Sequence, residues 1–230
     1  MSVSERKASQ ARLPLVEGQR LDRATFHERY EAMPPGIKAE LIGGVVYMPS
    51  PLGRKHGRGT MNVGTWLNLY RRHTPGLEAL DNATAMLDDL SEPQPDLQLR
   101  IRPEFGGQSR DEGDYVAGVP ELIVEVARSS RYIDLGPKRA DYERTGVREY
   151  VVVALGPEEV IWHVLRDGAL VIVPPGGDGL YRSEVFPGLW LDPDALLSDD
   201  LAALIAALDR GLATPEHAAF VARLTAARRP

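Results

Sequence analysis

At 230 residues, 43% of them hydrophobic, the chain has enough apolar material for one large core, alone or with appendages. Its formal net charge of −6 excludes a positive field over the whole surface, such as an avid nucleic-acid binder shows, but leaves room for a local basic groove. With no cysteine, disulfides, thiolate zinc sites and thiol nucleophiles are excluded, and five scattered histidines show no metal-ligand spacing, so oxygen would have to hold any metal.

The first 20 residues are polar, contain a proline and lack apolar periodicity, and read as a loose arm. An ordered domain over 21–200 and a helical extension over 201–230 are expected to follow. No apolar stretch approaches the roughly 20 residues that span a bilayer, and the polar start has no apolar core of a signal, which predicts a cytoplasmic protein without membrane contact. Phe26 and Tyr30, four apart, predict a short helix ending before Met33-Pro34-Pro35-Gly36. Two short strands hinged at Gly43-Gly44 fit Ala39 to Met48.

Between Gly57 and Arg72 the residues Met61, Val63, Trp66, Leu67 and Tyr70 fit one face of a helix, stopped by Thr74-Pro75-Gly76. The basic clusters Arg54-Lys55-His56-Arg58 and Arg71-Arg72-His73 flank it, and read either as solvated helix ends or as walls of a groove. Strands are predicted at 80–87, 95–101 and 121–127, with a charged, glycine-rich, solvent-facing loop over 102–118. A helix follows from Asp134-Leu135-Gly136-Pro137 to Gly146, where glycine supplies the left-handed cap. Further strands are expected at 149–155, 160–166, 169–173 and 180–186, and helices at 195–208 and 215–228. Leu201, Leu204, Ile205 and Leu208 could cover the sheet or make a homodimer contact.

Strands of mixed character with helices between them predict an α/β sandwich around a mixed sheet. Glu125 lies inside Leu122-Ile123-Val124-Glu125-Val126, a run that reads as a strand buried on both faces. Taking an ionised carboxylate out of water costs on the order of several kcal/mol, so a cation, a metal or several donors must compensate it. Asp96 opens the preceding strand on its polar side, where alternation groups it with Gln98 and Arg100. If the two strands are neighbours, Asp96 and Glu125 can share one divalent ion, and hard oxygen ligands select Mg²⁺ or Mn²⁺ over zinc. A structural ion pair to Arg or Lys would compensate Glu125 equally well.

Lys138 lies near the start of the helix after the Glu125 strand, on one face with Asp134 and Tyr142. It could reach back to the sheet, orient an attacking water and stabilise charge on a pentavalent phosphate, or form an exposed pair with Asp134. Glu40, opening the first strand, and His56, near the start of the long helix, are further candidates, and Tyr142 fits either packing or support of the site.

Taken together, Ala39-Glu40-Leu41-Ile42-Gly43-Gly44-Val45-Val46-Tyr47-Met48-Pro49-Ser50-Pro51, His56, Pro95-Asp96, Pro120-Glu121-Leu122-Ile123-Val124-Glu125-Val126-Ala127, Asp134 with Lys138 and Tyr142, and Gly146-Val147-Arg148-Glu149-Tyr150 resemble the Uma-two-type restriction endonuclease family of bacteria over roughly residues 20 to 200. The resemblance implies a PD-(D/E)XK core, a mixed sheet flanked by helices, with Mg²⁺ held by acidic residues at one edge. By position it implies a metal-dependent nuclease in which Asp96, Glu125 and Glu40 bind metal, and Asp96, Glu125, Lys138, Glu40 and His56 form the catalytic group. The implied partner is nucleic acid, with DNA the first expectation. The chain departs from the superfamily in having Ala127 where the motif lysine belongs, with Lys138 resembling a migrated substitute, and in having Arg128-Ser129-Ser130 where the family commonly has Ser-Pro. The alternative is a catalytically silent binding or scaffold protein that keeps the nuclease fold.

Overall fold

The computed structural model describes residues 13–49 and 51–228. In chain order it contains α1 (Arg23–Glu31), β1 (Glu40–Ile42), β2 (Val45–Tyr47), α2 (Arg54–His73), β3 (Leu77–Asp81), β4 (Ala85–Met86), β5 (Leu97–Ile101), β6 (Arg110–Glu112), β7 (Tyr115–Ala117), β8 (Leu122–Ala127), α3 (Arg139–Thr145), β9 (Glu149–Leu155), β10 (Glu158–Arg166), β11 (Ala169–Val173), β12 (Tyr181–Arg182), β13 (Trp190–Leu191), α4 (Pro193–Ser198), α5 (Leu201–Leu212) and α6 (Pro215–Ala227). A π turn, Asp134–Lys138, leads directly into α3.

Six strands form one sheet in the order β11-β10-β9-β8-β5-β3. The pair β8–β9 is parallel and the other four pairings are antiparallel, which makes the sheet mixed as expected. Both central strands are rich in β-branched residues because both of their faces are covered. Along β8, Leu122, Val124 and Val126 pack with Val63, Trp66, Leu67 and Tyr70 of α2 in the larger core. Ile123 and Ala127 face the other way, against Tyr142 of α3 and Tyr150 and Val152 of β9. Alternation therefore assigns Glu125 to the α3 side of the sheet. The indole of Trp66 donates to the carbonyl of Trp190 at 2.8 Å, and the Tyr70 hydroxyl to that of Pro187 at 2.8 Å, which fixes α2 against the C-terminal third.

Several local readings need correction. Residues 1–12 of the expected loose arm lie outside the described residues, but 13–20 are docked: Leu15 is buried with Phe26, Leu41 and Val46, and the backbone exchanges hydrogen bonds with β2 through Gly18 and Gln19. The segment 102–118 is no simple solvent loop. It holds the β6–β7 hairpin, whose Val116 and Ala117 are buried and which pairs in parallel with β4. Sequence periodicity missed it because the strands are only three residues long and one is wholly charged. The expected 195–208 helix is broken at Asp199, whose φ of 67° is left-handed, and Asp200 restarts the chain as N-cap of α5 by accepting from Ala203 N at 3.0 Å. The expected 180–186 strand shrinks to β12, because Ser183 and Glu184 turn aside to Glu149. Leu204, Leu208, Phe220 and Leu224 belong to the larger core, so the C-terminal helices cover the sheet.

Candidate active site

The β5–β8 pairing ends at Leu97↔Val124, so Asp96 and Glu125 are the next opposed residues. They hold each other's strands in place. The backbone N–H of Asp96 donates to Glu125 Oε2 at 3.3 Å, and the N–H of Val126 donates to Asp96 Oδ2 at 2.8 Å. The neighbouring strands that the shared-site argument required are thus present, and the two acids converge.

Glu40 arrives from β1, which bridges to the approach to β5 through reciprocal hydrogen bonds between Leu41 and Glu92. There its Oε1 accepts from the backbone N–H of Gln94 at 2.7 Å. Lys138 comes from the opposite side, at the end of the π turn. Pro137 has no N–H to offer an α-helical partner, and the turn closes instead with Arg139 N–H donating to Asp134 carbonyl. The Lys138 Nζ lies 2.9 Å from Glu125 Oε1 and 3.0 Å from Glu40 Oε1, with Asp134 Oδ1 at 4.0 Å. Lys138 is thus a buried bridge between two sheet-borne acids, where the sequence also allowed an exposed pair with Asp134. Tyr142, one turn on, donates its hydroxyl to Glu125 Oε1 at 3.0 Å. It packs against Tyr150 and supports the site at the same time.

His56 sits within the first turn of α2 and is buried, not solvated. Its Nε2 is 3.1 Å from Asp96 Oδ2 and its Nδ1 is 3.3 Å from the Thr60 hydroxyl. The imidazole therefore orients Asp96. Of the flanking basic residues, Lys55 pairs with Glu158, and Arg58 with Asp199.

The electrostatics follow from three acids facing one ammonium, with Asp96 close enough to Glu125 to act on it. Burial pushes the Glu125 carboxyl well above its ordinary range; Lys138 opposes the shift, while Asp96, Asp134 and Glu40 add to it. Asp134 is raised chiefly by burial, against Lys138 and the Ser130 hydroxyl. For Lys138, burial favours the neutral amine, but Glu125, Glu40 and Asp134 outweigh it and the ammonium is held well above its usual pKa. The cluster therefore holds more carboxyl groups than one ammonium can pair, and burial disfavours ionising all of them together.

All the acidic donors are hard oxygens, which suits Mg²⁺ or Mn²⁺. Among the described residues no three His, Asp or Glu side chains are arranged as a finished metal site, and the geometry gives the reason: Lys138 Nζ stands where Glu40 and Glu125 meet. The surplus of carboxyl oxygens over donors and the unpartnered, buried Asp134 Oδ2 still fit a divalent cation at this cluster, which would favour the ionised acids.

The family model described as "Putative restriction endonuclease", Uma2, matches residues 24–194. The chain belongs to the Uma2 family. Among solved structures, it is similar to the crystal structure of a putative nuclease belonging to DUF820 from Anabaena variabilis, with a TM-score of 0.56 and 15% identity over 74% of this chain and 95% of that one. That likeness shows that this Uma2 member and that protein share a fold. No curated protein matches the chain. No helix among the described residues is long and apolar enough to cross a membrane.

Asp134 is the member of the cluster that sequence reasoning placed beside Lys138 but did not include in the site. The available signal was its position four residues before Lys138 with Gly136-Pro137 between, a spacing that disturbs an ordinary helix.

Proposed function

We propose that this protein is a Mg²⁺- or Mn²⁺-dependent endonuclease that hydrolyses phosphodiester bonds of nucleic acid, with DNA as substrate. The observation supporting this most strongly is the meeting of Glu40 and Glu125 at one buried lysine, with Asp96 opposed to Glu125 on the neighbouring strand. A divalent cation bound there would lower the pKa of a water and offset phosphate charge. Asp96 and Glu125 would hold it, with Glu40 assisting. Lys138 would orient the attacking water in line with the scissile P–O bond and stabilise the charge gathering on the phosphoryl oxygens. His56, through Nε2, keeps Asp96 aimed, and Tyr142 does the same for Glu125. A plasmid-nicking assay with and without Mg²⁺ tests the reading: wild type should nick only with metal, and equal cleavage by Glu125→Ala would refute it.

A second reading, a silent binding or scaffold protein on the same fold, draws support from the ammonium already seated among the acids. Calorimetric Mg²⁺ titration separates the two, since a scaffold should show no binding that depends on Asp96. Of the residues expected to cover the sheet or make a homodimer contact, Leu204 and Leu208 are committed to the core while Leu201 stays exposed, and light scattering after size exclusion measures whether a dimer forms.

A further inference from the structure

Three carboxylates face Lys138 Nζ, and they are not equivalent. Glu125 Oε1 and Glu40 Oε1 hold the ammonium at 2.9 and 3.0 Å, while Asp134 Oδ1 stands off at 4.0 Å. The Asp134 side chain is 3% exposed, and its Oδ2 accepts no hydrogen bond among the described residues. Leaving such an oxygen unpaired costs about 1–3 kcal/mol, so the Asp134 carboxylate has capacity for a further donor. The nuclease reading supplies the occasion. A divalent cation at Glu40 and Glu125 competes for the oxygens that Lys138 now occupies, and two positive centres cannot share them without repulsion.

Resting on that reading, we propose that Asp134 is a positioning residue: it receives the Lys138 ammonium when a divalent cation held by Asp96 and Glu125 also draws on Glu40, and so keeps the lysine beside the reacting phosphate. Glu125 lies on a central strand and Glu40 is tied down by Gln94 N–H, so the flexible lysine stem is the movable part. Asp134 and Lys138 open and close the same π turn, which presents acceptor and donor as one unit. Closing 4.0 Å to hydrogen-bond length needs a shift of Nζ of only about 1 Å.

The test is a Mn²⁺ titration by calorimetry on the full chain, comparing wild type, Asp134→Asn, Lys138→Met and the double variant, with circular dichroism as the folding control. Asp134→Asn should weaken Mn²⁺ binding by about tenfold, the usual scale for a group that supports metal ligands, and this loss should vanish in the Lys138→Met background, where no ammonium needs relocating. Equal affinity of wild type and Asp134→Asn overturns the proposal, as does the same loss with and without Lys138, because Asp134 would then ligate the metal itself. Asp134→Glu keeps an acceptor within reach and should bind within about twofold of wild type; a tenfold loss there overturns the proposal even where Asp134→Asn fails to fold. Wild type that binds no Mn²⁺ overturns the nuclease reading and this inference together, whereas wild type that binds Mn²⁺ and nicks plasmid while Asp134→Asn binds equally well removes this inference alone.

Discussion

Glu125 and Glu149 are both buried glutamates on adjacent parallel strands, yet their surroundings differ in kind. Glu149, opposite Leu122 in register, is answered by neutral donors: the Ser183 hydroxyl at 2.5 Å and the backbone N–H of Glu184 at 2.7 Å. Those bonds pin the segment after β12 to the sheet. Glu125, three residues further along β8, is answered by an ammonium, a phenol and a group of rival carboxylates. Burial of an acid therefore does not itself mark a reactive site. What distinguishes the reactive candidate is surplus charge of one sign, which a structural acid avoids and a cation-dependent centre requires.

The largest expected contrast is in cleavage. Removing the Glu125 carboxylate by Glu125→Ala should cut plasmid nicking by at least about a thousandfold, whereas Glu149→Gln should leave the rate within about twofold, since only the former faces the acidic cluster. Comparable losses from both would erase the distinction. Next in size is Lys138→Met, which leaves Glu40, Glu125 and Asp134 facing one another without a counter-ion and should destabilise the fold by about 3–5 kcal/mol in urea titrations. Added Mn²⁺ should raise the midpoint of this variant more than that of wild type, and a metal-independent midpoint would count against cation binding.

The structural acid has its own signature in pH. Burial pushes the Glu149 carboxyl up to about 7, against the Ser183 and Glu184 hydrogen bonds that favour the charged form. A carboxyl whose folded pKa is raised contributes stability that is complete below its ordinary value near 4.5 and is lost as pH rises through about 7. Glu149→Gln should remove that loss, so the stability of the variant relative to wild type should grow by about 3 kcal/mol between pH 4.5 and 7.5 in denaturant titrations. A difference independent of pH would show that Glu149 folds already ionised. The smallest effect expected is Tyr142→Phe, which removes one hydrogen bond to Glu125 Oε1 and should lower nicking by about tenfold while costing about 1 kcal/mol of stability. An unchanged rate would reduce Tyr142 to packing alone.

Much of the fold was legible locally. Phe26 and Tyr30 stack on one face of α1, the Gly43-Gly44 hinge joins β1 to β2, and Val63, Trp66, Leu67 and Tyr70 form the buried stripe of α2, because each signal lies within a few residues of its partner. The short β6–β7 hairpin was not legible, since its stability comes from pairing with β4 and from the ion pair of Asp111 with Arg100 of β5. In the site, the acids were visible as charges in apolar surroundings. That His56 would turn toward Asp96 and away from solvent was not, because the ring's partner comes from a different element.

The sequence by itself determined the longer strands and helices, and that one carboxylate would be buried in a central strand, since side-chain periodicity of two or 3.6 residues is a property of neighbours along the chain. Only the tertiary structure decided that β5 lies beside β8, that β1 brings Glu40 to the same point, and that Lys138 reaches across to join them. Strand order and the closing of long loops are settled by the burial of whole faces. The charge cluster exists only after those faces have met.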